Sequence, residues 1–105
     1  MLTRKDADTF LACLEEERYY DAHEVLEAVW FPMRFKKTPE VLLLKGLINA
    51  SVSFELYKRG RPHKAPGPWN VYMKYRVNLQ QIGVRNPLYL ELDEAVHMLQ
   101  RRLSA

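Results

Sequence analysis

The stretch from Val41 to Leu56 decides most of what this chain can become. Apart from Lys45, Asn49 and Glu55 it is apolar or small on every side. Thr38-Pro39-Glu40 stands before it as an N-cap followed by the first two helical positions, and Gly60 stands after it as a terminator. Both ends of a helix are therefore written into the chain. Few of its residues are β-branched, which argues against a buried strand. A helix over about 39–59 with no polar side has to be enclosed by other elements. Its small residues Gly46, Ala50, Ser51 and Ser53 let those elements come close. It is too short and too interrupted to cross a bilayer, which takes about 20 apolar residues.

The breakers divide the remainder into the neighbours this helix needs. A first helix is predicted from about Lys5 to Glu17, with Thr3 as N-cap, Asp6 three residues on, and Phe10, Leu11 and Leu14 on its inner side. Glu15-Glu16-Glu17 opposes the dipole at its end, so fraying is expected there. A second runs from about Tyr20 to Met33, with Ala22, Leu26, Val29 and Met33 on one stripe and Pro32 closing it. Arg61 to Pro68, which holds three prolines and Gly67, reads as a loop. Trp69 to Ile82 reads as a helix closed by Gly83, and Asn86-Pro87 as a turn. The last helix carries Leu92, Val96, Leu99 and Leu103 and ends in Arg101-Arg102. The expected fold is all-α: a compact bundle of about five helices around the buried central one, with residues 1–105 as a single domain.

Composition removes several classes of function. Hydrophobic residues at 48% and charged residues at 28% of a 105-residue chain are globular values, not those of a disordered segment. Cys13 is the only cysteine, so no intrachain disulfide scaffold exists, and the N-terminus turns charged where a signal peptide would turn apolar. A cytoplasmic protein without membrane attachment is expected. The excess of 16 basic over 13 acidic residues is modest. Lys58, Arg59, Arg61 and Lys64 make a candidate anion-binding loop, although such runs are more often a solvated face.

The second helix carries more than packing requires. At about 100° per residue, with His23 as zero, its core stripe centres near −90°, Trp30 near −20° and Glu27 near +40°. His23, Glu27 and Trp30 thus share one edge of the core face, with Tyr20 near about +60° and Glu24 farther out near about +100°. A histidine at such an edge is partly desolvated and can be oriented by a carboxylate. Tyr20, His23, Glu24, Glu27 and Trp30 form the candidate site, with Asn49 and Glu55 as candidate facing groups from the central helix. Those two lie about 240° apart in rotation, so one of them faces the groove. The bland alternative is a structural hydrogen bond between His23 and Glu27 with Trp30 as a core anchor, and it is the safer reading.

Chemistry beyond binding finds little support. His23-Glu24-x-x-Glu27 departs from the zincin pattern at the second histidine, and a catalytic zinc needs a third protein ligand. The pairing of carboxylates and histidines found in di-iron bundles is absent. No phosphate-binding glycine loop, nucleophile elbow or Cys-x-x-Cys pair occurs. No cofactor and no metal is expected.

Tyr20-Asp21-Ala22-His23-Glu24-Val25-Leu26-Glu27 followed by Trp30 resembles the signature of the family known as domain of unknown function 309. Gly46-Leu47-Ile48-Asn49-Ala50 and Arg59-Gly60 follow in that family's order, and the resemblance covers about Phe10 to Ala65. It implies a compact, all-helical, mostly prokaryotic intracellular domain and no established activity. Two departures stand out. Leu56 occupies the place of a histidine common in the family near the end of the central helix. Arg61-Pro62-His63-Lys64-Ala65, lengthened by Pro66-Gly67-Pro68, replaces a shorter loop, so the third and fourth helices are expected to meet differently, around Trp69.

The leading reading is a small binding or scaffold domain of unknown partner. A metal-assisted or acid–base hydrolase using His23 with Glu24 or Glu27 is the alternative. Nucleic-acid binding through residues 58–64 is the weakest of the three, and a homodimer stays open.

Overall fold

The computed structural model describes residues 1–105 and contains six α-helices: α1 (Arg4–Glu15), α2 (Tyr19–Trp30), α3 (Pro39–Lys58), α4 (Pro66–Tyr75), α5 (Leu79–Arg85) and α6 (Leu88–Leu103). A 3-10 turn over Arg76–Asn78 joins α4 to α5, with Tyr75, Asn78 and Leu79 all near right-handed helical angles. The two form one bent rod, and the bundle has five rods.

α3 is the centre. Thr38 caps it by accepting from the Val41 N–H, Pro39 opens it, and nine of its residues are buried. It packs against α2 on one side and α4 on another, with α6 also in contact. The approach of α4 is closest at Gly46, where a Cβ would stand 3.0 Å from Tyr72 Cδ1 and 3.3 Å from the Tyr72 Cα. Any larger residue there would push the two helices apart. The core that results joins Phe10, Leu26, Leu43, Leu47, Phe54, Tyr72, Tyr89 and Leu92 in one cluster. No helix is long and apolar enough to cross a membrane.

Three local expectations change. The loop expected over Arg61 to Pro68 is a 3-10 turn at Pro62–Lys64 followed at once by α4. Pro66 and Pro68 sit in the first turn of α4, where a missing N–H costs nothing because those donors have no helical partner. Ala65 is pinned beneath them, its carbonyl accepting the Ser53 hydroxyl at 2.8 Å. Gly83 does not end a helix but lies buried inside α5. The second helix stops at Trp30, and Phe31–Met33 is a 3-10 turn, as Pro32 requires.

The acidic end of α1 is ordered rather than frayed. Arg18 N–H bonds the Cys13 carbonyl at 2.8 Å and Glu17 N–H bonds the Leu14 carbonyl at 3.2 Å, the paired bonds of a Schellman turn. The same pair closes α3, from Arg61 to Leu56 and from Gly60 to Tyr57. The turns differ in the residue that must go left-handed: Gly60 at φ 73° in one, Glu17 at φ 58° in the other. A side chain in that region costs roughly 1–2 kcal/mol, which glycine avoids. Glu17→Gly is therefore expected to raise stability by about 0.5–1 kcal/mol in urea denaturation, because added unfolded-chain freedom offsets part of the gain. A loss would show that contacts of the Glu17 side chain outweigh the backbone strain.

Candidate functional site

The edge of α2 meets α3 at a cleft of about 200 Å³ lined by Tyr19, Tyr20, His23, Ser51, Val52, Glu55, Leu56 and Arg59. The α2 residues reach it because Tyr19, Tyr20 and His23 stand on the side next to the buried stripe of Ala22 and Leu26. From α3 come Ser51, Glu55 and Arg59, spaced four apart on one face, with Val52 and Leu56 beside them.

His23 is the centre of its polar contacts. Nε2 lies 3.1 Å from Glu27 Oε2, one helical turn on, and Nδ1 lies 3.7 Å from Glu24 Oε1. The second distance is too long for a hydrogen bond, and Nδ1 is out of solvent's reach with no partner. One ring nitrogen thus stands beside the Glu27 carboxylate and the other is unpaired. The Tyr20 ring tilts against the imidazole at 5.6 Å. Hydrogen bonding to the neighbouring Glu24 carboxylate raises the Tyr20 phenol above its ordinary pKa, and burial raises that of Tyr19.

The α3 side closes with an ion pair. Arg59 Nε donates to Glu55 Oε2 at 2.8 Å, and Glu55 is the more enclosed partner, 19% exposed against 63%. The Ser51 hydroxyl donates to the Leu47 carbonyl at 3.3 Å, so it is committed to its own helix.

Among the candidate residues, Tyr20, His23 and Glu55 line the cleft, and Glu24 and Glu27 flank His23. Asn49 lies off the cleft and donates to the Lys45 carbonyl at 2.9 Å. Trp30 packs against the core as a partly buried wall, and its indole N–H is buried without a partner. Of the basic candidates, Arg59 is taken by Glu55 and Lys58 donates to the Glu17 carbonyl at 2.6 Å. Arg61 and Lys64 are exposed. His, Cys, Asp and Glu side chains nowhere form a group of three arranged to hold a metal ion. The His23–Glu27 pair sets a carboxylate beside an imidazole, and the one hydroxyl of a serine in the cleft, that of Ser51, is bonded to its own helix.

A second polar cluster escaped the sequence reading. Asp93 on α6 is buried and accepts from the Tyr72 hydroxyl and, through both oxygens, from Arg76 at 2.8 and 2.9 Å. His97 Nδ1 lies 3.1 Å from the same carboxylate, and the Trp69 ring stands edge-on to His97 at 5.1 Å. The signal was present, since Asp93 sits between Leu92 and Val96 on the apolar side of its helix. Its partners, however, come from a helix that only folding brings near. This cluster is fully satisfied and opens on no recess of its own. A separate recess of about 640 Å³ between Met73, Val77, Val84 and Leu90 is apolar apart from Gln80 and Arg76.

Fold and site together define a small helical bundle with a largely apolar cleft, edged by His23, Glu55 and Arg59, between its second and third helices. The chain belongs to the domain of unknown function family DUF309, whose family model matches residues 7–67, more than half of the sequence. That span holds α1 from Ala7 onward, all of α2 and α3 and every residue of the cleft, and excludes Asp93 and its partners. No curated protein and no solved structure matches the chain.

Proposed function

We propose that the protein is a small binding domain whose cleft between α2 and α3 receives one side chain of a partner or a small molecule of similar size. The observation that carries this reading is His23, which lines a recess with one ring nitrogen 3.1 Å from Glu27 and the other buried and unpaired. A buried polar atom without a partner is costly, and a ligand or an ordered water is what normally satisfies it. The recess, at about 200 Å³, is smaller than the roughly 300–1,000 Å³ of sites for drug-sized ligands. Its walls, Tyr19, Tyr20, Val52 and Leu56, suit a short apolar body.

His23→Ala separates this reading from a structural one. Half-exposed Glu27 is the only group the imidazole pairs with closely, so the substitution is expected to cost less than about 1.5 kcal/mol in urea denaturation. It is also expected to abolish the saturable amide shifts that small fragments produce at Tyr20, Val52 and Leu56 in NMR titrations. A loss of several kcal/mol with fragment binding intact would make His23 a structural residue.

A further inference from the structure

The charges around the cleft run against those of the protein as a whole. The chain carries a formal +3, yet Glu24 and Glu27 flank His23, Glu55 stands in the wall, and Arg59 is the one cation lining the recess. Arg59 is already committed to Glu55 Oε2, which leaves the second oxygen of that carboxylate without a protein donor. Other cations lie elsewhere: Arg34 is stacked between Phe31 and Phe35, at 3.6 and 4.3 Å from the ring centres. A carboxylate or phosphate entering the cleft would meet the carboxylates of Glu55, Glu24 and Glu27 nearby, and the charge of the one lining cation, Arg59, is already balanced by Glu55.

We infer that the occupant of the cleft is an alkylammonium group, a protonated primary amine on a short apolar stem. The inference rests on the cleft being a binding site, as proposed above, and adds the class of its ligand. An ammonium carries three donors and no acceptor, which complements the free oxygen of Glu55 in the wall, while Glu24 and Glu27 beside His23 add negative charge nearby. The faces of Tyr19 and Tyr20 attract a cation through their ring quadrupoles, more strongly where water is excluded. Val52 and Leu56 provide contact for the stem, and the small volume limits it to a few methylenes. The same chemistry is offered by a free alkylamine and by a lysine side chain of another protein.

The test is a set of NMR titrations of the full chain at constant ionic strength. The probes are n-butylammonium, 1-butanol, butyrate and a capped Ala-Lys-Ala peptide. The butylammonium ion is expected to shift Tyr20, His23, Val52, Glu55 and Leu56 saturably, at least about tenfold more tightly than butanol, with no response to butyrate. Glu55→Gln, and as a second variant Glu27→Gln, are each expected to weaken butylammonium while leaving the spectrum folded, the first by about tenfold. Lysine peptide binding as tight as butylammonium supports a protein side chain as the source, and much weaker binding supports a free amine. Butanol or butyrate binding as tightly as the cation overturns the alkylammonium while leaving the cleft a binding site. An unchanged affinity in both variants overturns it too. No response to any probe removes both readings.

Discussion

Replacing Asp93 by asparagine is expected to remove about 3 kcal/mol of stability, the lower end of what breaking a buried ion pair costs. The lower end applies because the Arg76 side chain is 41% exposed and water screens part of its loss. The carboxylate accepts from Tyr72, whose side chain is fully buried, and holds both Arg76 nitrogens, with His97 alongside. An amide offers one acceptor oxygen and turns a donor toward groups that are donors themselves. The buried hydroxyl of Tyr72 is left facing that mismatch. Urea denaturation reads the loss directly, and at this chain length the melting temperature should fall by more than about 10 °C. A loss below about 1 kcal/mol would mean that water or a shifted Arg76 replaces what the carboxylate does.

The same group sets an acid limb. Burial alone would raise the Asp93 pKa, but Arg76, Tyr72 and the nearby His97 hold it below the ordinary 3.8. The unfolded chain therefore takes up this proton at a higher pH than the folded one. Stability from Asp93 is complete above the ordinary carboxylate value and drains away as pH falls through it toward the folded pKa. Melting temperature measured from pH 6 to pH 2 should show a smaller fall below about pH 4 in Asp93→Asn than in the unmodified chain. Glu91 is also held low, by Arg4, but it is exposed and adds little to this limb.

The contrast between the two polar clusters shows what a sequence of this kind discloses. α3 was legible because its information is local: Thr38-Pro39 at one end, Gly60 at the other, and between them a surface that is apolar or small apart from Lys45, Asn49 and Glu55. The α2 edge was legible because rotation along one helix separates His23 and Glu27 from the stripe of Ala22 and Leu26. The choice between Asn49 and Glu55 was legible only as a choice; the packing angle of α2 on α3 decided for Glu55. Asp93 falls on the apolar side of its helix, which marks it as unusual, but nothing in the sequence around Glu91 and Glu94 names its partners. Only the convergence of α4 and α6 brings Tyr72 and Arg76 to it, and pairing across helices leaves no period in the sequence. Pro66 and Pro68 misled for a related reason: proline rules out a helix interior but not a first turn, and the chain does not say which of the two applies.

Phe54→Ala is the substitution expected to damage both fold and cleft. Phe54 has no exposed surface and stands between Tyr19, edge-on with ring centres 5.9 Å apart, and Trp69 at 6.1 Å. Emptying such a site costs about 3–5 kcal/mol through lost burial and the cavity left behind. That cost includes the two ring contacts, worth roughly 0.5–1.5 kcal/mol each where the geometry is good. The second consequence is directional. Tyr19 is both the neighbour of Phe54 and a wall of the cleft, so a cavity behind it lets the ring retreat and widens the recess. Phe54→Ala is therefore expected to lose about 4 kcal/mol in urea denaturation, and the molecules that remain folded should bind butylammonium several-fold more weakly. Phe54→Leu, which refills most of the volume, should recover roughly half of the stability and most of the binding. Equal binding in the folded fraction of all three chains would uncouple the cleft from the core, and Tyr19 would then be held by α2 alone.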